Sequence, residues 1–243
     1  MAAPSSDLQT LGDLTFRVLY RGAFALLEVH LRAGQSVKAQ SDAMVAMDAT
    51  VDVEGKMEGG LLGGIGRMFS GESFFFQTLR ASRGPGVAHL APAQPGDLLP
   101  IELDGMTTYV LQKDGFLAAS EGVELSTTAQ NLTRGLFSGE GFFVLKARGK
   151  GMLFAESYGA IHELDVPAGE EMIVDNGHLV AWPESMHYKL EKASSGWISS
   201  FTSGEGLVCR FRGPGKVYIQ SRNPAAFGAW VRPLLPNRRS GSS

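Results

Sequence analysis

The sequence has one cysteine, little net charge and no apolar run long enough to cross a membrane. A single cysteine, Cys209, excludes an internal disulfide framework and any metal site built from several cysteines. The first residues lack both the apolar stretch of a signal peptide and the arginine-rich character of a mitochondrial presequence. We therefore expect a cytoplasmic protein.

The charge balance also argues against one class of partner. The sequence has 22 basic and 25 acidic residues, a net charge of −3. Proteins that grip nucleic acid phosphates are usually basic. Lys146, Arg148 and Lys150 form a small basic cluster, which we interpret as solvated surface charge. Nucleic acid is therefore not the expected partner.

Signatures of catalysis and metal binding are missing as well. Neither the nucleophile elbow Gly-x-Ser-x-Gly nor a phosphate-binding loop occurs. No short metal-binding spacing connects the five histidines, which are His30, His89, His162, His178 and His187. We predict no catalytic residue, no metal and no cofactor. One alternative stays open, because distant histidines can meet in space: a small-molecule or metal-dependent enzyme on a double-stranded β-helix.

What the sequence does contain is glycine, 31 residues of 243, and an internal repeat. The tripeptide Ser-Gly-Glu begins at Ser70, Ser138 and Ser203, at intervals of about 65 to 70 residues, so the chain repeats itself three times. An apolar run follows each copy, and an Arg-Gly-x-Gly turn follows each run. A second signature places Gly34 and Gly169 at the same interval before Ala46 and Ala181. In the middle copy we assign the corresponding glycine to Gly96, with Asp104-Gly105 as an extra hairpin turn.

These signatures predict an all-β protein of three tandem units over 14–81, 82–146 and 147–222, followed by a turn or short helix and a polar tail over 223–243. Short apolar runs between glycines are typical of strands in sandwiches and barrels. Pro224 after Asn223 favours a helix start. The strands expected with most support cover 15–20, 25–31, 44–51, 107–112, 116–119, 152–156, 171–175, 178–182, 188–191 and 216–220.

Residues that recur in all three units are interpreted as scaffold, because a single active site needs only one copy. This set comprises Gly71, Glu72, Gly139, Glu140, Gly204 and Glu205. Glycine supplies turn conformations that other residues resist. The alternative is that the three glutamates converge on a cation. Cys209 aligns with Phe76 and Val144 of the apolar runs, so we expect a buried thiol rather than a nucleophile.

One segment, 55–69, has only a short counterpart in the middle unit. It is rich in glycine and carries five large apolar residues: Leu61, Leu62, Ile65, Met68 and Phe69. Apolar side chains on a loop need a cover. The protein's own core is one candidate, and another subunit, a partner protein or a membrane surface are the others. We predict an interaction surface, with contact to another chain ranked before peripheral contact with a membrane.

Two stretches of this region resemble a known family. The residues Gly-Leu-Leu-Gly-Gly at 60–64 and Met-Phe-Ser-Gly-Glu-Ser-Phe-Phe at 68–75 are similar to bacterial members of the mitochondrial biogenesis family named for altered inheritance of mitochondria protein twenty-four. The resemblance covers about residues 12–230. It implies three β-sandwich units, each a short double-stranded β-helix similar to the trp RNA-binding attenuation protein, with pseudo-threefold symmetry. It implies no catalytic residues.

The function expected from these observations is that of a non-catalytic β scaffold or binding protein. We expect a homo-oligomer or a complex with a partner protein, and the sequence identifies no small-molecule ligand. The enzyme on a β-helix is the first alternative. An RNA-binding module, suggested by the attenuation protein, is the second.

Overall fold

A computed structural model describes residues 7–54, 76–112, 114–130, 142–192 and 207–235. These residues form nineteen β-strands, one α-helix and two short 3-10 turns. The chain is predominantly β, as the short apolar runs between glycines predicted. Within the described ranges, no helix has the length and apolar character needed to cross a bilayer.

The strands follow one another closely along the chain. The first eight are β1 Gln9–Leu11, β2 Leu14–Leu19, β3 Leu26–Leu31, β4 Ser36–Gln40, β5 Met44–Met47, β6 Asp52–Glu54, β7 Phe76–Arg80 and β8 Gly86–Leu90. The next five are β9 Leu98–Asp104, β10 Tyr109–Gln112, β11 Phe116–Ser120, β12 Val123–Gln130 and β13 Phe142–Glu156. The last six are β14 Ile161–Val166, β15 Glu171–Asp175, β16 Leu179–Pro183, β17 His187–Lys192, β18 Leu207–Arg212 and β19 Gly215–Gln220.

The first sheet is antiparallel, with strand order β1-β2-β3-β8-β5. Its strand β2 shows why one face is core: Leu14, Phe16 and Val18 are buried, and the residues between them are less so. Successive side chains of a strand point to opposite faces, so this alternation separates a core face from a more polar face.

The largest sheet is built around β13, which is fifteen residues long. Its first half pairs with β10 and β12, and its second half pairs with β9 and β11. The sheet has eleven strands: nine follow the order β14-β19-β16-β10-β13-β11-β4-β7-β6, and β9 and β12 each pair with β13 outside this order. A third sheet has the order β15-β18-β17. Because β13 is long, it holds β10 and β12 in the same sheet as β9 and β11. A shorter strand would leave these two pairs in separate sheets.

The core consists of three clusters of buried side chains. The first lies under the first sheet and includes Phe154 of β13, whose ring meets Phe16 edge-on at 4.8 Å. The second lies around β9, β11 and β13. The third contains a group of rings, in which Trp182 lies 5.2 Å from Tyr188 and 5.6 Å from Phe211 between ring centroids. Burial of these apolar side chains drives the packing of the sheets.

The helix near the C-terminus, α1, covers Pro224–Val231. The side chain of Asn223 caps it by accepting hydrogen bonds from the backbone N–H groups of Ala225 (2.9 Å) and Ala226 (3.2 Å). Pro224 occupies the first helical turn, where a missing N–H has no consequence. The short helix expected after Asn223 is confirmed.

Candidate functional site

The predicted interaction surface and the predicted scaffold residues lie outside the described ranges. This holds for Leu61, Leu62, Ile65, Met68 and Phe69 of the predicted interaction surface. It also holds for Gly71, Glu72, Gly139, Glu140, Gly204 and Glu205 of the predicted scaffold set. They fall within 55–75, 131–141 and 193–206. The strands that flank these segments are paired with each other: β6 with β7, β12 with β13, and β17 with β18.

A polar cluster on the first sheet is the strongest candidate site among the described residues. Strand β3 lies between β2 and β8, and its Glu28 is directly opposite Arg17 on β2 and His89 on β8. His30 is two residues from Glu28, so its side chain shares the same face. Directly opposite residues in antiparallel strands bring their side chains together. The register of three strands thus builds the cluster.

The geometry leaves both Glu28 oxygens in contact with partners. Oε1 lies 2.8 Å from Nε of Arg17 and 2.7 Å from Nε2 of His30. Oε2 accepts a hydrogen bond of 2.9 Å from Arg17 and lies 3.2 Å from Nε2 of His89. The Glu28 side chain is 7% exposed, and the three partners are each about one-third or more exposed. A buried carboxylate is therefore paired by groups that reach the surface.

This environment determines the charge of Glu28. The hydrogen bond from Arg17 lowers the pKa of the Glu28 carboxyl to about 2, burial opposes that effect, and the hydrogen bond with His30 adds to it. A hydrogen bond donated to a carboxylate favours its charged form. Glu28 is then ionised throughout the physiological pH range. A carboxylate of such low basicity is a poor general base.

The cluster also lacks the character of a metal centre. Two histidines and a carboxylate are a common ligand set for iron or zinc. Here the guanidinium of Arg17 occupies the carboxylate oxygens, and its positive charge opposes a bound cation. In the part of the chain that the structure describes, no group of three or more histidine, cysteine, aspartate or glutamate side chains is placed to hold a metal ion.

Sequence reasoning did not find this cluster. His30 and His89 are far apart in the chain and meet at Glu28 only because β3 pairs with β8. The sequence offered only a local signal for a polar site, which is the alternation of polar and apolar residues along β3. Glu28 and His30 alternate there with buried apolar residues, which are Leu27, Val29 and Leu31. A charged residue in that pattern requires partners on its own face.

A second buried carboxyl, Glu156, ends β13. Its Oε2 is buried without a hydrogen-bond partner. Burial, with a smaller contribution from the charge of Asp114, raises the pKa of Glu156 to about 8. Loss of solvation disfavours the charged form of a carboxyl. Glu156 is thus mostly protonated at neutral pH, in contrast to Glu28.

Two further expectations concern Cys209 and the basic cluster of Lys146, Arg148 and Lys150. Cys209 is fully buried, as expected, and burial raises the pKa of its thiol to about 12, which leaves it unreactive. In the basic cluster, Arg148 pairs with Glu124 at 2.7 Å and Lys146 pairs with Glu184. Carboxylates therefore already neutralise two of the three cations there. This arrangement is ordinary surface charge.

Comparisons with known proteins confirm the family resemblance expected from the sequence. The model of the family described as mitochondrial biogenesis AIM24 matches residues 16–222. An uncharacterised protein of Streptococcus pyogenes serotype M6 is 37% identical over 221 residues, 88% of each chain. An X-ray crystal structure of a Streptococcus pyogenes protein aligns with a TM-score of 0.76 and 36% identity, and it covers 91% of this chain and 100% of that one.

Proposed function

The chain belongs to the mitochondrial biogenesis family AIM24, and from that premise we propose that it is a non-catalytic β scaffold that binds other protein chains. One observation carries the proposal: in the polar cluster at Glu28, both carboxylate oxygens have partners within the chain. Arg17, His30 and His89 occupy both carboxylate oxygens. A catalytic carboxylate needs an oxygen that a substrate can reach, and Glu28 has none free.

We further propose that the scaffold consists of three tandem units similar to the trp RNA-binding attenuation protein, related by a pseudo-threefold axis. Three sets of six strand segments support this proposal. In each set the first segment pairs with the sixth, the second with the fifth, the third with the sixth and the fourth with the fifth. The sets are β3–β8, β9–β13 with β13 supplying two segments, and β14–β19.

Strand pairing favours unit boundaries that differ from the ones expected. The boundaries 14–81, 82–146 and 147–222 would separate β8 from β3, although these two strands pair over five residues. They would also divide β13 between two units. Boundaries near 26–90, 98–156 and 161–220 keep each set intact, with β1 and β2 as an addition to the first unit. Paired strands stabilise each other and belong together.

The binding surface in this proposal is the apolar segment of Leu61, Leu62, Ile65, Met68 and Phe69. Its five large apolar residues support this role, since buried apolar surface is the main driving force for protein association. Its position between β6 and β7 attaches both of its ends to paired strands. A lipid surface is the alternative binding partner of this segment.

The experiment combines Leu61→Ser, Leu62→Ser and Ile65→Ser in one variant, with Leu234→Ser plus Leu235→Ser, two exposed leucines, as the matched control. We expect the free energy of unfolding in urea to stay unchanged and the proteins that co-purify with the tagged chain from native cells to be lost with the triple variant alone. A loss of several kcal/mol in stability would show that the segment is core. Cosedimentation with anionic vesicles that the triple variant abolishes would identify a lipid surface.

Metal analysis of the same preparations tests the alternative of a metal-dependent enzyme. We expect no stoichiometric transition metal in the protein purified from native cells. A metal present at one per chain and lost in His30→Ala and His89→Ala would overturn the non-catalytic proposal in favour of a metal-dependent enzyme.

A further inference from the structure

The last described part of the chain, residues 224–235, leaves four large apolar side chains in solvent. Phe227 of α1 is 49% exposed, and Trp230, Leu234 and Leu235 are between 61% and 67% exposed. None of the eight residues of α1, all of which the structure describes, is buried. Exposed apolar surface of this kind marks a site of interaction. We call these residues the C-terminal apolar segment.

The composition of α1 is that of a covered helix. Its sequence is Pro-Ala-Ala-Phe-Gly-Ala-Trp-Val, which is apolar on every side. A helix on the surface of a globular protein normally has a polar face, whereas a helix that is apolar all round lies in a core or in a membrane. The ring of Phe227 contacts the ring of Tyr158, with 5.8 Å between centroids. The chain thus holds the helix at one side and leaves the rest of it uncovered.

A second pair of exposed aromatic residues lies in the hairpin 20–24, between β2 and β3. Tyr20 and Phe24 are 72% and 73% exposed. Tyr20 has a φ of +53°, which is uncommon for any residue other than glycine and more so for a bulky one. The side chain of Arg21 donates a hydrogen bond of 2.8 Å to the carbonyl of Leu98. The hairpin is therefore fixed to the fold while its aromatic side chains remain in solvent.

Backbone contacts connect this hairpin with the C-terminal apolar segment. The N–H of Ala25 donates to the carbonyl of Gly96 at 2.9 Å, and Gly96 forms a β-bridge with Gly159. The N–H of Arg222 donates to the carbonyl of Tyr158 at 3.2 Å. The exposed aromatic residues of both elements therefore lie at one end of the molecule.

Charge is distributed unevenly along the chain, and this end is on the basic side. Residues 206–243 contain seven basic residues and no acidic one, whereas residues 1–205 contain 15 basic and 25 acidic residues. Arg222 and Arg232 flank α1, and among the described residues neither has a carboxylate partner. Two more arginines follow at 238–239, outside the described ranges. The charge at this end is complementary to an anionic surface.

We propose that the C-terminal apolar segment docks on the surface of an anionic lipid bilayer, with the hairpin 20–24 as a second contact. An eight-residue helix is about 12 Å long and the hydrocarbon core is about 30 Å thick, so α1 lies in the interface and does not span it. Trp230 suits that position, because its ring is apolar and its N–H group can reach the headgroups. Arg222 and Arg232 pair with headgroup phosphates.

A second copy of the chain is a poorer occupant of this surface. A symmetric contact between two such segments would bring the arginines of both copies together, and like charges repel. One short helix also offers less surface than a stable dimer buries. An anionic bilayer covers the apolar side chains and neutralises the arginines in a single contact.

The first test measures cosedimentation with vesicles of phosphatidylcholine that contain about one-third phosphatidylglycerol. The variant is Leu234→Ser plus Leu235→Ser, and the matched control is Met106→Ser plus Val53→Ser, at two other exposed apolar positions. We expect the wild type and the control to bind and the partition coefficient of the variant to fall about tenfold or more. A wild type that does not bind, or an equal fall in the control, would overturn the proposal.

The second test concerns the charge of the surface. Arg222→Gln plus Arg232→Gln should weaken binding to the anionic vesicles about tenfold, since each arginine near an anionic bilayer contributes to the attraction. The control, Arg83→Gln plus Arg148→Gln, removes the same net charge elsewhere and should have a much smaller effect. Binding to vesicles of phosphatidylcholine alone should be weaker for the wild type. Equal binding to both kinds of vesicle would contradict recognition of an anionic surface.

Tryptophan emission reports whether the C-terminal apolar segment itself enters the lipid. The emission of the wild type should shift to shorter wavelength when the anionic vesicles are added, because the ring of Trp230 leaves water for the acyl boundary. Trp230→Phe should still cosediment and should lack the shift. A shift that persists in Trp230→Phe would place the contact elsewhere and refute the assignment.

The remaining outcomes distinguish this proposal from the proposed function. Leu234→Ser plus Leu235→Ser should unfold at the wild-type urea concentration and should retain the co-purifying proteins, whereas Leu61→Ser, Leu62→Ser and Ile65→Ser together should lose those proteins. Vesicle binding that only the triple variant abolishes would overturn both proposals. A wild type that avoids vesicles and loses mass in light scattering with the double variant would identify a second copy as the occupant of this segment and overturn this proposal alone.

Discussion

At the scale of single residues, Glu28 and Glu156 show how the same side chain takes opposite charge states. Arg17 donates to Glu28 and keeps it ionised, whereas burial without a partner keeps the proton on Glu156. Both shifts connect protonation to folding, since a group whose pKa differs between the folded and unfolded states makes stability depend on pH.

We expect Glu28→Gln to lower stability at neutral pH and to have little effect in acid. The pKa of Glu28 is lowered from 4.5 to about 2 on folding, so its contribution is present above pH 4.5 and is lost as the pH falls towards 2. The shift corresponds to a contribution on the order of 2–3 kcal/mol to the free energy of unfolding. This figure already includes a reduction for solvent screening of the partly exposed Arg17. Urea unfolding from pH 7 to pH 2 measures it. Glu124→Gln, in the exposed pair with Arg148, is the control, and equal losses in both variants would contradict the expectation.

For Glu156→Gln we expect the opposite sign. The pKa of Glu156 is raised from 4.5 to about 8, so a penalty for the buried charge grows from pH 4.5 to pH 8 in the wild type. Glutamine carries no charge, so the variant should gain stability relative to the wild type over that interval, by about 2–4 kcal/mol at pH 9. Urea midpoints at pH 5, 7 and 9 give the difference. A difference that is independent of pH would refute the assignment.

The burial of a side chain could be predicted from the sequence where the pattern of a single strand determines it. Cys209 was expected to be buried because it aligns with Phe76 and Val144, and it is buried. The contact of His30 and His89 with Glu28 could not be predicted, because it depends on the register of three strands. A shift of one residue would move the side chains to the other face.

At the scale of elements, many strands were predicted from their apolar residues, whereas β4, β8, β9 and β14 were missed. Strands β4 and β14, Ser-Val-Lys-Ala-Gln and Ile-His-Glu-Leu-Asp-Val, carry too few apolar residues to indicate a strand on their own. Their neighbours supply the stabilisation: β4 pairs with β7 and β11. Tertiary context of this kind overrides local propensity.

The turn of the middle set was assigned to the wrong glycine. Gly34 and Gly169 connect the first two strands of their sets with φ of +80° and +83°, and Gly105 does so in the middle set with φ of +91°. Glycine adopts this left-handed conformation without the steric penalty of a side chain. Gly96 instead lies against the backbone of Ser157, where a side chain would clash. Spacing alone could not distinguish a turn glycine from a close-approach glycine.

Strand β13 yields a prediction at this scale, because its Phe154 packs into the cluster under the first sheet. We expect Phe154→Ala to lower the free energy of unfolding by about 3–5 kcal/mol, since it opens a cavity and removes the edge-on contact with Phe16. Urea unfolding measures the loss. Phe227→Ala on α1, where the ring is half exposed, should lower it by less than about 1 kcal/mol. Similar losses in the two variants would contradict a role for Phe154 in coupling the sheets.

At the scale of the whole molecule, the β class and the recurrence of a signature could be predicted from the sequence. The way in which the sets meet could not. A pattern of glycines and apolar residues indicates which side chains of a strand are apolar. By that measure Val45, Leu117 and Val180 are equivalent. Only the pairing of β11 with β4 and of β16 with β10 separates the covered strands from the uncovered β5. A local pattern therefore does not reveal which strands a neighbouring set covers.

The fifteen-residue strand β13 also has a consequence for synthesis of the chain. On the ribosome, β2, β3, β5 and β8 are complete once residue 90 has emerged, so the first sheet can form early. Strands β9, β10 and β12 must then wait, because each pairs with β13 and, among the described residues, with no earlier strand. Unpaired strands in a nascent chain are prone to association. The middle third of the chain thus exposes unpaired strands on the ribosome until β13 emerges.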